Sequence, residues 1–99
     1  MKNFVKILIE DERGKILKTH YLRVNTWDLP AGKIEENETP IGAAVRELLE
    51  RTVFQIDEKD LEVIEPEGEF LVFKGKKKSL IAVAKPGERG GYVTEIKWE

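Results

Sequence analysis

The chain opens with an apolar run, FVKILIED at Phe4–Asp11, in which β-branched residues dominate. Such runs are typical of strands, and we expect this one to be buried on much of both faces. In the DERG segment that follows, Gly14 can adopt a positive φ, and KILKTHYL then predicts a second strand that returns as a hairpin. Trp27–Leu29 is a further short apolar segment, and it ends at Pro30.

The hydrophobic spacing then changes to that of a helix at about residues 39–52. Thr39 is suited to cap the helix, and Pro40 fits the first helical position, where its missing N–H has no cost. We expect the helix to end near Thr52, because TVFQI is strand-prone. The apolar or small residues that share one helix face are Ile41, Ala44, Val45, Leu48 and Thr52.

The second half of the chain predicts further strands. Leu61–Ile64 and Glu69–Phe73 are strand-like, KGKKK predicts a hairpin turn, and SLIAVA predicts an uninterrupted central strand. KPGERGG predicts a glycine-rich loop before a last alternating strand, YVTEIKW. One helix against a mixed sheet predicts an α+β fold, in one domain that covers residues 1–99.

Composition narrows the classes of function. Lys and Arg total 17 against 19 Asp and Glu, a formal charge of −2, so the chain has no general attraction to nucleic acid or anionic membranes. No segment approaches the roughly 20 apolar residues of a membrane span, and we expect a cytoplasmic protein. Zero Cys excludes thiol catalysis and cysteine metal sites. The 36% of charged residues favours a thermophilic source.

Candidate chemistry lies on the helix, where Arg46, Glu47, Glu50 and Arg51 occur close together. Their spacing places the glutamates on the side opposite the apolar stripe, so we expect them to point away from the core. Two neighbouring carboxylates repel each other unless a cation lies between them, and Mg²⁺ is bound by such carboxylates with water and substrate phosphates. Further carboxylates precede the helix at Glu35, Glu36 and Glu38.

The alternative interpretation of the helix is a solvated charged face. Glu47 and Arg51 form an i,i+4 pair in the favourable order, which is common on exposed helices. From the spacing alone, this interpretation is favoured over a metal site.

A longer pattern changes that balance. Gly32, five residues, Glu38, seven residues and then Arg46-Glu47-Leu48-x-Glu50 resembles the box of the Nudix (MutT-like) hydrolase family. Phe54 fits the closing apolar position, and WDLPAGKIE resembles the family's entry into the motif.

Two positions depart from the family pattern. Arg51 replaces a glutamate that is usually a principal metal ligand, and an arginine cannot ligate a cation. Val53 replaces a glycine, so we expect that the turn after the helix cannot easily use a positive φ. Family members also continue past the strand that resembles TEIKW into another helix, which is absent here. The resemblance therefore implies a truncated α/β/α sandwich, and we expect a homodimer that covers the exposed sheet face.

The resemblance implies roles for individual residues. Glu47 and Glu50 would be metal ligands together with the Gly32 carbonyl, Arg46 would orient the two glutamates, and Glu38 would anchor the loop to the helix. A glutamate from a later loop, Glu88 or Glu95, would complete the metal site. Arg23 and Arg51 would contact a substrate phosphate.

The expected activity is hydrolysis of a nucleoside diphosphate linked to another moiety, with Mg²⁺ or Mn²⁺ as cofactor and water as nucleophile. The expected partner is a small-molecule nucleotide, with neither membrane nor nucleic acid involved. The alternative is a non-catalytic Nudix-fold module that binds a nucleotide or RNA. A third hypothesis treats the charged helix as purely structural in an assembly protein.

Overall fold

We describe residues 3–83 and 95–99 in a computed structural model of the chain. Within these residues there are nine strands and one α-helix, with short 3₁₀ turns at Glu58–Asp60 and Lys77–Ser79. The α-helix, α1, is Pro40–Thr52. The strands are β1 Phe4–Glu10, β2 Leu17–Tyr21, β3 Thr26–Asp28, β4 Ala31–Lys33, β5 Phe54–Gln55, β6 Glu62–Glu67, β7 Phe70–Lys76, β8 Ile81–Ala82 and β9 Ile96–Trp98.

The main sheet has the strand order β4-β1-β7-β6. β1 and β7 run parallel and the other pairs are antiparallel, which confirms the predicted mixed sheet and the α+β class. Along β1, Val5, Ile7 and Ile9 are fully buried while Lys6 and Leu8 are half-buried. The expectation that both faces of this strand are largely buried is therefore met on one face only.

Helix α1 packs against β1 and β4 of this sheet. The side chain of Thr39 accepts a hydrogen bond from the Gly42 N–H at 3.1 Å, and Pro40 is the first helical residue, as the sequence predicts. The predicted stripe faces the core, where Ala44 and Leu48 are fully buried. Predicted and observed boundaries of the helix agree.

A second sheet has the strand order β3-β2-β9 and meets the carboxyl end of α1. The hydroxyl of Thr19, on β2, donates to the backbone carbonyl of Arg51 at 3.2 Å. The predicted turn at Gly14 is present, with a φ of 79°, but the predicted pairing of β1 with β2 is wrong. Within the described residues, the two segments are joined only by a single β-bridge between Glu10 and Ile16. The two strands then separate because each is paired within a different sheet.

Two predictions for the second half of the chain are also wrong. SLIAVA is predicted to be a central strand, but β8 pairs only with β5 in the described part of the chain, and Ile81 is 65% exposed. KGKKK is no hairpin turn, since β7 continues through Lys76. Gly75 is a strand residue here because its backbone packs closely against core side chains. A Cβ at this position would come within 3.1 Å of Ile56 and Leu61, so only glycine fits.

Within the described residues, no helix is long and apolar enough to cross a membrane. The predicted loop KPGERGG lies outside the described residues.

Candidate active site

Arg46 is the centre of a dense network of hydrogen bonds. Its guanidinium donates to both carboxylate oxygens of Glu38, at 2.7 and 2.9 Å, and to the backbone carbonyl of Lys33 at 2.9 Å. One terminal nitrogen also donates to Glu47 at 2.8 Å and to Glu50 at 3.3 Å. These contacts use all five N–H donors that a guanidinium has. Arg46 therefore ties the loop before α1 to the two glutamates of the helix.

Glu47 is buried, which corrects the prediction that both glutamates point away from the core. It is 5% exposed, and β4 passes directly over its carboxylate. A Cβ on Gly32 would overlap the carboxyl carbon and both oxygens of Glu47. Only glycine allows this approach, so the Gly–Glu spacing of the motif has a steric cause. Glu50 lies one turn further along and remains half-exposed.

Arg51 lies on the other side of the Glu47 carboxylate. Its Nε donates to Glu47 Oε2 at 3.3 Å, whereas Arg46 holds Oε1. The guanidinium also lies over the ring of Tyr21, 5.5 Å from the ring centroid, which is within the range of a cation–π contact. Sequence reasoning missed Tyr21, because nothing local shows that β2 passes the end of this helix. The sequence offers one indication of its role: Tyr21 lies two residues after Thr19, and so on the same face of β2.

The helix ends in a left-handed conformation at Val53, with φ 74° and ψ 10°. The expectation that this turn could not use a positive φ is therefore wrong. The Val53 N–H still donates to the Leu49 carbonyl at 3.0 Å, as a glycine would in a helix cap, and the Thr52 hydroxyl donates to the Leu48 carbonyl at 2.6 Å. The valine side chain is almost completely buried, which offsets the backbone strain.

The charges around Arg46 affect the proton equilibria nearby. The hydrogen bonds from Arg46 lower the pKa of Glu38 below its ordinary value of 4.5, and burial opposes this only partly. The same bond to Glu38 raises the pKa of Arg46. Burial raises the pKa of Tyr21 to about 12, and the positive charge of Arg51 opposes that shift. At neutral pH Glu38 is therefore ionised and Tyr21 is protonated.

A metal ion at this site would be bound through carboxylate and backbone oxygens. Within residues 3–83 and 95–99, no three acidic or histidine side chains form a group that could hold a metal ion. Two arginines among four glutamates leave this cluster, Glu35, Glu38, Arg46, Glu47, Glu50 and Arg51, with a formal charge of −2. Two carboxylates beside a backbone strand can supply the oxygen ligands that Mg²⁺ takes from a protein. Among the described residues, Glu47 and Glu50 are therefore the two carboxylates available to a single divalent cation, and both Glu47 oxygens already accept hydrogen bonds from arginines.

Other residues predicted from the sequence lie elsewhere. Arg23 is exposed in the turn between β2 and β3. The backbone carbonyl of Glu95 accepts from the His20 N–H at 3.2 Å, just before β9. Glu36 is exposed in the loop before α1, and Glu88 lies outside the described residues. The structure brings together Gly32, Glu38, Arg46, Glu47, Glu50 and Arg51.

Comparison with known proteins gives consistent results. The family model described as "NUDIX domain" matches residues 3–97. An RNA pyrophosphohydrolase from Actinobacillus succinogenes is 35% identical over 82 residues, which are 83% of this chain and 41% of that protein. Another, from Marinomonas sp., is 33% identical over 82 residues, 83% of this chain and 50% of its own length. The chain therefore spans about half the length of these relatives or less.

Solved structures show the same fold. A Bacillus subtilis pyrophosphohydrolase superposes with a TM-score of 0.72 at 18% identity, covering 99% of this chain and 62% of that one. The NUDIX domain of Shewanella oneidensis NrtR, solved with ADP ribose, gives 0.67 at 16% identity, with 96% and 70% covered. At such identities the likeness concerns the fold. The match of the family model over nearly all residues, on a structure that assembles the motif, places this chain in the Nudix family.

Proposed function

We propose that this chain hydrolyses a pyrophosphate bond in a nucleoside diphosphate linked to another moiety, slowly, and with one Mg²⁺ or Mn²⁺. The observation that supports this most is the arrangement of Glu47 and Glu50, which Arg46 holds together, with the Glu47 carboxylate against the backbone of Gly32. The cluster charge of −2 balances the charge of one divalent cation. An arginine at position 51 would disfavour further cations by repulsion.

Glu47, Glu50 and the Gly32 backbone would hold the metal ion, which would supply charge stabilisation on the phosphate oxygens and acidify a water. The role of Arg46 is to fix the carboxylates before substrate binds, so that they need no rearrangement during the reaction. One oxygen of Glu50 accepts from Arg46, and the other has no hydrogen-bond partner among the described residues, so it would be the oxygen that faces the metal ion. The proton of the attacking water would leave to solvent. The water oxygen attacks phosphorus, the bridging P–O bond breaks, and the leaving phosphate takes the electron pair.

The non-phosphate part of the substrate would enter an open cleft of about 350 Å³ beside Tyr21. Apolar walls suit a nucleobase or ribose, and a lysine and an aspartate provide polar contacts. The cleft residues that support this are Lys6, Tyr21, Val24, Asp28, Leu29 and Phe70.

A second candidate is a Nudix-fold binding module without catalysis. The observation that favours it is the pair of guanidiniums on Glu47, which compete with a metal ion for both of its oxygens. The complex of the NrtR domain with ADP ribose is consistent with ligand binding by this fold. A structural role for the charged helix, a homodimer, cytoplasmic location and a thermophilic source all stay predictions.

The test is a hydrolysis panel with Mg²⁺, Mn²⁺ or EDTA, at 25 °C and at elevated temperature. The substrates are nucleoside triphosphates, dinucleoside polyphosphates, ADP-ribose, nucleotide sugars and, because of the two relatives, RNA with a 5′-triphosphate. The proposal predicts metal-dependent turnover that Glu50→Gln reduces by at least about 100-fold.

Arg51→Glu distinguishes the two candidates. Turnover by the wild type that EDTA abolishes supports the hydrolase. No turnover by the wild type on any substrate, with turnover in Arg51→Glu, supports the binding module and overturns the proposal.

A further inference from the structure

The Arg51 guanidinium has N–H groups that bind none of the described residues. The single hydrogen bond of its guanidinium to the described residues is the one from Nε to Glu47, and at 3.3 Å that bond is long for a charged pair. The terminal nitrogens of the guanidinium donate to none of residues 3–83 or 95–99, although the side chain is only 29% exposed. A guanidinium whose two terminal nitrogens remain available can bind a phosphate through two parallel hydrogen bonds.

Tyr21 restricts where this guanidinium lies. The ring lies beneath the Arg51 guanidinium, and the Tyr21 hydroxyl donates to the Leu29 carbonyl at 2.7 Å. The ring presents a flat aromatic face fixed on β2, and arginine stacks on such a face while its N–H groups point outward from the ring edge. The same ring lines the cleft described above, so Tyr21 contacts both the Arg51 guanidinium and that cleft.

A salt bridge alone does not account for this geometry. Glu47 is already held by Arg46 at 2.8 Å, and the contact from Arg51 Nε is longer, at 3.3 Å, so the buried carboxylate does not depend on Arg51 for its counter-charge. Arg46 and Arg51 share the single Glu47 carboxylate, so Glu47 does not fully neutralise the Arg51 guanidinium, although the whole cluster carries a formal charge of −2. Positive charge next to a nucleotide-sized cleft favours an anion.

We propose that Arg51 and Tyr21 form a subsite for one phosphate of a pyrophosphate group, and that this subsite binds its anion without a divalent cation. The inference rests on the proposed function for its choice of ligand. Arg51 provides the hydrogen bonds and is a substrate-binding residue; Tyr21 does not touch the phosphate and is a positioning residue. The guanidinium thus supplies part of the charge that a further metal ion would otherwise bring.

The experiment is calorimetric titration of inorganic pyrophosphate in EDTA, where turnover plays no part. We expect Arg51→Gln to weaken binding by at least about tenfold, because hydrogen bonds to a charged group are lost. Tyr21→Leu should weaken it about fivefold through loss of the ring, and Tyr21→Phe should restore affinity to within about twofold of wild type. Arg13→Gln is the matched control, since it removes one positive charge from an exposed turn.

Each outcome has one meaning. Wild-type binding that Arg51→Gln and Tyr21→Leu weaken, with Arg13→Gln and Tyr21→Phe unchanged, supports the subsite even if the hydrolysis panel fails. No binding in EDTA, or equal weakening by Arg51→Gln and Arg13→Gln, overturns it even if the panel succeeds. Urea unfolding of every variant identifies any that has lost its fold. If Arg51→Gln does not fold, the conservative variant Arg51→Lys replaces it. The subsite predicts weaker binding for Arg51→Lys too, because lysine cannot form the bidentate contact.

Discussion

The two ends of helix α1 use arginine in opposite ways. The guanidinium of Arg46 makes five hydrogen bonds with the protein itself, whereas that of Arg51 makes one with the described residues. The side chains are almost equally exposed, at 24% and 29%, so burial does not explain the difference. What differs is the partner: Arg46 lies among glutamates and carbonyls, and Arg51 lies over an aromatic ring. Arg46 organises the carboxylates of the site, and Arg51 is the residue that our proposal assigns to ligand binding.

The largest expected effect comes from removing Arg46, and the removal of Arg51 is the comparison. Arg46→Gln should lower the free energy of unfolding by about 2–3 kcal/mol, because it leaves the buried Glu47 and the half-buried Glu38 without their main counter-charge. Arg51→Gln should change it by less than about 1 kcal/mol, because the buried Glu47 keeps its shorter bond to Arg46. Urea unfolding followed by circular dichroism measures both. Equal decreases in the free energy of unfolding of the two variants would contradict the different roles given to the two arginines.

Gly32→Ala tests the packing beneath the Arg46 network. The new Cβ would displace the Glu47 carboxylate and so break its bond with Arg46, at a cost of about 1–2 kcal/mol. The same change in a Glu47→Ala background should cost about 0.5 kcal/mol or less, because the space is then empty. Urea midpoints of the four proteins in this cycle give the coupling. Costs that simply add would contradict the steric account.

Much of this site was predictable from the sequence, and the reason is local. Thr39, Pro40 and the apolar stripe mark the helix by spacing and capping alone, and the box then places its charged residues on that helix. The burial of Glu47 was not predictable, because it depends on β4 crossing over the helix. Tyr21 was missed for the same reason, since its partner Arg51 is distant in the chain.

Strand pairing was predicted less well than strand location. The SLIAVA segment has the composition of a core strand, yet Ile81 and Val83 are exposed in the described structure. Apolar composition reports that a segment favours extended structure, but its neighbours in the sheet depend on distant contacts. Gly75 illustrates the same limit, because a glycine among lysines is typical of a turn until its close neighbours are known.

Val53 caps the carboxyl end of α1, the end that carries Arg51. A valine with φ 74° is strained by about 1–2 kcal/mol, and its buried side chain recovers a similar amount. We therefore expect Val53→Gly to be more stable than Val53→Ala by about 0.5–1 kcal/mol, the reverse of the usual order in a helix. Thermal or urea unfolding of both variants checks the order. Val53→Ala as the more stable protein would show that this cap is unstrained.

The smallest expected effect is on the pH dependence of stability. The pKa of Glu38 is lowered in the folded state, so its contribution is complete above the unfolded value, near 4.5, and is lost as pH falls through the folded pKa. In Glu38→Gln, the decline in stability below pH 4.5 should be shallower than in wild type. Urea midpoints across the acidic range up to neutral pH measure this slope. Identical slopes would mean that the Glu38–Arg46 pair is absent in solution.

The most direct measurement observes both arginines in one spectrum of the wild-type protein. Arginine side-chain ¹H–¹⁵Nε correlations, assigned through Arg46→Lys and Arg51→Lys, are recorded during titration with inorganic pyrophosphate in EDTA. We predict that the Arg51 signal shifts with saturation while the Arg46 signal stays in place. A shift of the Arg46 signal, or no shift of Arg51, would contradict the division of roles between them.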